Sequence, residues 1–172
     1  MRTFLSLLLL VGCFSPEDVT PDDVPMVVEE PEAEPVIKMS FSDFCDAAPP
    51  QEFNTFVLEA ANDHGLDPWV LALTVYRESD CRKDVEGASG EIGLCQVNPA
   101  IWVPTLIQHG IITERDDLWD PETNLRAGAF IMARMRLRSR TEWEMFRRYN
   151  GSGPRARRYA TEQMAYLSLI RD

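Results

Sequence analysis

The sequence predicts a mostly α-helical domain with at most a small β element, and three observations lead there. Apolar residues recur at helical spacing through most of the chain after residue 50. Several of these stretches are bounded by helix-start or helix-stop residues, and the longest polar break between them is glycine-rich rather than alternating. A chain of 172 residues with 45% hydrophobic content is long enough for one compact domain plus a tail.

The elements follow in order. In residues 51–64, Phe53, Phe56, Val57, Ala60 and Ala61 fall at helical spacing, and Gly65 supplies a stop. Asp67 then reads as an N-cap with Pro68 in the first helical position, opening "WVLALTVYRES". This second helix is apolar nearly all round, which places it in the middle of the domain. Between Arg82 and Pro99 the pattern breaks at Gly87, Ser89, Gly90 and Gly93, so a loop or short hairpin is expected. Asp120-Pro121 repeats the cap signature and starts a long helix through about Leu137. "EWEMFRRY" and "RARRYATEQMAYLSLI" supply two more helical patterns, separated by "NGSGP". The total is five or six helices, with no internal repeat at a fixed period.

Ahead of this domain the chain has a different character. "MRTFLSLLLLVGC" has a basic start, an apolar run from Phe4 to Val11 and a small residue before Cys13, the pattern of an export signal. The run is far short of the roughly 20 residues that cross a bilayer as a helix. Leu10-Val11-Gly12-Cys13 resembles the lipobox of bacterial lipoproteins, which implies cleavage before Cys13 and acylation of its thiol. Phe14, rather than an aspartate, follows, which in a two-membrane bacterium implies the outer membrane facing the periplasm. Residues 14–40 carry eight acidic groups against Lys38 alone, with five prolines interspersed, and so supply −7 of the formal net charge of −11. Such a segment buries too little apolar surface to fold and reads as an extended tether. The expected organisation is a signal at 1–12, a lipidated cysteine and acidic tether at 13–40, and a folded domain at 41–172.

Charge is uneven within the domain as well. Residues 41–125 hold 4 basic and 16 acidic groups, whereas 126–172 hold 11 basic and 4 acidic. The arginine-rich third either forms solvated helix faces or touches an anionic polymer. Without aromatic interleaving or a groove-reading motif in an exported chain, nucleic acid is not an expected partner.

Glu78 is the residue that asks for a chemical explanation. It lies four positions after Thr74, seven after Leu71 and three after Val75, so it projects from an apolar stripe at a helix C-terminus. Desolvation and the negative end of the helix macrodipole both disfavour its ionisation. A glutamate shifted upward in this way suits proton donation to a leaving oxygen near neutral pH. The plainer alternative is a surface acid at a fraying helix end.

After Glu78-Ser79 come Gly90, Gly93-Leu94-Cys95-Gln96 and Pro99, then "DPETNLRAGAFIM", "YNGSG" and a final tyrosine-containing helix. This order, over about residues 50–168, resembles the lysozyme-like domain of soluble lytic transglycosylases, with goose-type lysozymes as relatives. The resemblance implies that Glu78 is the single catalytic acid and base, that Ser79 helps to position it, and that Gln96 of the Gly93-Leu94-Cys95-Gln96 motif binds sugar or peptide. It further implies that Tyr149 and Asn150 face the catalytic carboxyl. The implied reaction is cleavage of the MurNAc-GlcNAc β-1,4 bond of peptidoglycan with formation of a 1,6-anhydro end. It needs no cofactor and no metal, and the chain is expected to act as a monomer tethered to the membrane by its lipid.

Some residues depart from the family pattern. Cys81 stands where phenylalanine is common, Cys95 replaces methionine, Arg148 replaces alanine, and Glu91 stands where alanine is common. Arg148 near the acid would favour its ionised form. Glu91 or Asp84 could serve as the second carboxylate that a hydrolysing muramidase needs, whereas Asp80 points to the other side of the helix. A peptidoglycan-binding lipoprotein without turnover is a further alternative. The family positions of Cys81 and Cys95 imply that these two form a disulfide, with Cys45–Cys81 as the rival pairing and a free buried thiol as the plain case. His64 and His109 are isolated and lack metal-ligand spacing. Of the four tryptophans, Trp102 is the candidate for a sugar cleft; the others read as core.

Overall fold

The computed structural model describes residues 40–171; Cys13, the signal and almost all of the acidic tether lie outside them. Six helices form the domain: α1 (Phe53–Asp63), α2 (Pro68–Ser79), α3 (Pro99–Gln108), α4 (Pro121–Leu137), α5 (Glu142–Asn150) and α6 (Gly153–Arg171). The mostly α expectation holds, and the β element reduces to isolated bridges joining Glu86 to Ile92 and Ile92 to Val97. Among the described residues no helix is long and apolar enough to cross a membrane.

The cap residues act as their chemistry dictates. The Asp67 carboxylate accepts from Trp69 N at 2.9 Å and that of Asp120 from Thr123 N at 2.9 Å, each satisfying a free amide at a helix start. α3 is the helix that no sequence pattern isolates. Pro104 lies inside it and removes one backbone donor, a feature that reads as a break in the sequence.

α2 runs through the middle, with Leu71, Leu73, Thr74 and Val75 wholly buried. α4 packs against α1 and α5, and α6 against α5 and α2. Arg171, near the end of α6, pairs with Asp67 at 2.6 Å and Glu142 at 2.8 Å, joining three helix ends. Burial of Leu94, Leu125, Met132, Phe146 and Leu167 completes one continuous core.

The disulfide differs from the pairing that the family positions imply. Cys81 bonds to Cys45, 36 residues earlier, and Cys95 is a free, buried thiol. The cause is local backbone. α2 ends in two consecutive left-handed residues, Asp80 at φ 51° and Cys81 at φ 60°. Their turn brings Cys81 to the segment after the 3₁₀ turn Phe41–Phe44, where Asp80 Oδ1 also accepts from Asp46 N at 2.9 Å. Cys95 instead packs its sulfur onto Gly128 of α4, where a Cβ would collide with it. Non-reducing peptide mapping should therefore return a Cys45–Cys81 peptide and unmodified Cys95. Reduction is expected to cost roughly 3–4 kcal/mol of stability for a loop of this size, read from urea denaturation with and without reductant.

Candidate active site

Glu78 is the next-to-last residue of α2 and opens onto a cleft of about 660 Å³. Four segments wall this cleft. The 82–98 loop contributes Glu91, Gln96 and Asn98; the first turn of α3 contributes Ile101 and Trp102; the end of α5 contributes Arg148, Tyr149 and Asn150; and the start of α6 with the residue before it contributes Arg155 and Ser152. Of the sequence candidates, Glu78, Gln96, Tyr149, Asn150 and Trp102 come together here. A larger hollow of about 740 Å³ between His64 and Met145 lies elsewhere and contains none of them.

Burial pushes the Glu78 carboxyl up to about 7 from an ordinary 4.5, and the negative charge of Glu91 adds to the rise. The neighbouring Tyr159 hydroxyl, Arg155 and Arg77 oppose it. The cations that act on the acid are thus Arg155 and Arg77 rather than Arg148. Near neutral pH a substantial share of Glu78 keeps its proton, as a general acid requires.

A measurable slope in stability follows. The unfolded carboxyl ionises near its ordinary value, whereas the folded one holds its proton up to about 7. Stability is therefore expected to fall as pH rises from about 4.5 to about 7, by on the order of 3 kcal/mol. Glu78→Gln should flatten that slope, which thermal melts across the interval would record.

Of the remaining candidates, Ser79, Gly93 and Leu94 support the cleft from behind, whereas Gln96 and Tyr149 line it. Ser79 is buried, and its hydroxyl oxygen lies 2.9 Å from the Leu94 carbonyl and 3.1 Å from that of Val75. It fastens the 82–98 loop to α2 one residue beyond the acid. Gly93 takes φ 72°, and a Cβ there would lie 2.5 Å from Asn124 Nδ2, so a side chain is excluded on both counts. Leu94 is wholly buried. Gln96 faces the cleft, but its Nε2 already donates to Gly93 O at 2.9 Å and Val85 O at 3.1 Å, which leaves the carbonyl oxygen for other partners. Tyr149 donates from its hydroxyl to Cys95 O at 2.8 Å, and so pins the same loop to α5.

Two residues matter here that sequence reasoning gave no role. Asn124 of α4 is buried, accepts from Cys95 N at 2.8 Å and donates to Leu118 O at 2.7 Å and Ile92 O at 3.0 Å. Its place within "DPETNLRAGAFIM" marked the motif without marking the clamp. Tyr159, on the final helix, lies beside Glu78, and burial raises its phenol well above the ordinary range. Its oxygen also accepts from Gln163 Nε2 at 3.3 Å.

Glu91 is the other acid in the cleft. Burial raises its pKa, but hydrogen bonds from its own backbone amide, from Ser89 and from Asn98 outweigh that, and the carboxyl is lowered overall. Ser89 N donates at 2.9 Å and Asn98 Nδ2 at 3.4 Å. Asp84 is exposed and does not line the cleft. Among the described residues no cluster of three His, Cys, Asp or Glu side chains is placed to hold a metal ion.

Comparison with known proteins bears on the family and the fold. The family model described as the transglycosylase SLT domain matches residues 55–168. The X-ray structure of an inactive mutant of lytic transglycosylase Slt from Pseudomonas aeruginosa matches with a TM-score of 0.63 and 17% identity, over 70% of this chain and 24% of that one. The chain therefore spans about a quarter of the length of that enzyme. The likeness bears out the lysozyme-like helical fold. No curated protein sequence matches the chain.

Proposed function

Because the chain belongs to the transglycosylase SLT domain family, we propose that it cleaves the MurNAc-GlcNAc β-1,4 bond of peptidoglycan and closes a 1,6-anhydro ring on the muramic sugar. The observation that carries this reading is a single carboxyl group, raised to about 7 by burial, that opens onto a cleft of about 660 Å³. Glu78 gives its proton to the bridging oxygen as the C1–O bond breaks. The resulting carboxylate then takes the proton of the muramic 6-hydroxyl, whose oxygen bonds to C1. Atoms balance with no water consumed, and Glu78 ends as it began.

The shifted pKa suits both halves. A carboxyl near 7 is acidic enough to release its proton, and basic enough as a carboxylate to recover one. In this reading Gln96 and Asn150 orient the sugars, Trp102 offers an apolar face, and Tyr149 and Tyr159 hold the acid's surroundings dry.

A second reading rests on Glu91. It lines the same cleft and stays ionised while Glu78 stays protonated, the divided pair of a hydrolase that activates water. Weighing the products of purified peptidoglycan separates the two. Non-hydrolytic cleavage yields muropeptides one water lighter than a muramidase's; products that all end in a free reducing sugar would favour the Glu91 reading. As part of the same proposal, lipidation at Cys13 and the acidic tether place the domain on the periplasmic side of an envelope membrane, with glycan strands as its substrate.

A further inference from the structure

The cleft is electrically lopsided. Its loop side carries Glu91, and its α5–α6 side carries Arg148 and Arg155. Beside Glu78 a smaller hollow of about 160 Å³ is walled by Arg77, Arg155 and Arg158 with Asn150 and Tyr159. Of these four arginines, only Arg77 has an ion-pair partner among the described residues, Glu162 at 2.5 Å. Arg148, Arg155 and Arg158 are exposed.

Like charges gathered around one small concavity repel, and a bound anion relieves that repulsion. Glu78 cannot fill the role while it keeps its proton. Arg155 and Arg158 also lie in the first turns of the 19-residue helix α6, whose dipole favours negative charge there. A guanidinium fork matches a carboxylate in shape as well as sign.

We infer that the arginine-lined side of the cleft is a carboxylate subsite, which seats acidic groups hanging from the glycan next to the bond that is cut. This rests on the reading of the cleft as a glycan site, and deepens it into a preference. The strand would lie with its charged substituents toward α5 and α6 and its bare sugar edge toward Glu91. A peptide-bearing strand offers two sources of the group: carboxylates of the peptide, and the lactyl carboxylate exposed once the peptide is removed.

Binding in a Glu78→Gln background, where turnover is blocked, distinguishes these. Three probes are compared: peptide-bearing glycan fragments, the same strands stripped by an amidase, and chitin oligomers without any carboxylate. The parent is expected to favour a carboxylate-bearing probe over chitin. Adding Arg155→Gln and Arg158→Gln should reduce that preference about tenfold, with part of it returning in Arg155→Lys and Arg158→Lys, a rescue that a purely structural role would not give. Loss confined to the peptide-bearing probe assigns the subsite to the peptide, and loss on the stripped strands assigns it to the lactyl group. A parent that binds all three probes equally, or a preference that survives both Gln substitutions in a variant with unchanged melting, overturns the subsite. A parent that binds none of the three overturns the glycan reading itself.

Discussion

Replacing Glu78 by glutamine is expected to lower kcat/KM on peptidoglycan by about 10³-fold or more, because the proposed chemistry has one proton donor and no substitute for it. Glutamine keeps the volume and a polar tip, so the cleft should survive. The folded protein should even gain at neutral pH, since desolvation penalises only the charged form. Loss of turnover with equal or higher thermal stability thus separates a chemical role from a structural one. The wild-type rate should fall above about pH 7 as the donor ionises, and Arg155→Gln should move that fall upward by removing an opposing cation. A binding protein without turnover would show neither loss nor pH limb. Retention of more than a tenth of the activity in Glu78→Gln would sink the acid assignment.

Asn124→Ala should cost the fold about 3–5 kcal/mol, the largest stability effect expected of any single polar side chain in the domain. Its amide holds three backbone groups, Cys95 N, Ile92 O and Leu118 O, at 2.8, 3.0 and 2.7 Å, and all three lie in the interior. Alanine strands Cys95 N and Leu118 O where water is scarce, at about 1–3 kcal/mol for each unsatisfied group, and leaves Ile92 O with the Val97 amide as its remaining donor. Against a total stability of about 5–15 kcal/mol that is a large fraction. The clamp also sets the path of the loop carrying Glu91 and Gln96, so residual activity should fall further than the folded population does. Urea denaturation with unchanged slope measures the first effect. A change below about 1 kcal/mol would mean that the loop relaxes onto other partners.

The helices were legible where local chemistry decides them. Asp67-Pro68 and Asp120-Pro121 announce their helix starts, and the structure begins α2 and α4 at those prolines. Glu78 was less legible locally: an apolar stripe at a helix end left a surface acid open as the plainer case, and the order of motifs after it, resembling the family, singled it out. α3 was hidden because Pro104 is a local signal for a break, and packing of Leu106 into the core overrides it. The disulfide was left between two pairings because the choice depends on two consecutive left-handed residues, and although aspartate tolerates that conformation, nothing in the sequence puts Cys81 there. Asn124 and Tyr159 were hidden for a third reason. Their work is done across distances of 29 residues to Cys95 and far more to Glu78, and spacing along a chain carries no trace of such contacts.

Titrating the Glu78 side chain by carbon-13 NMR of its carboxyl carbon, with Glu78→Gln to identify the resonance, tests the central claim most directly. A midpoint near 7 is the expected result, since the buried end of α2 disfavours the charged form. A midpoint at the ordinary value of about 4.5 would leave a carboxylate ionised at neutral pH, with no proton to give to the sugar, and would contradict it.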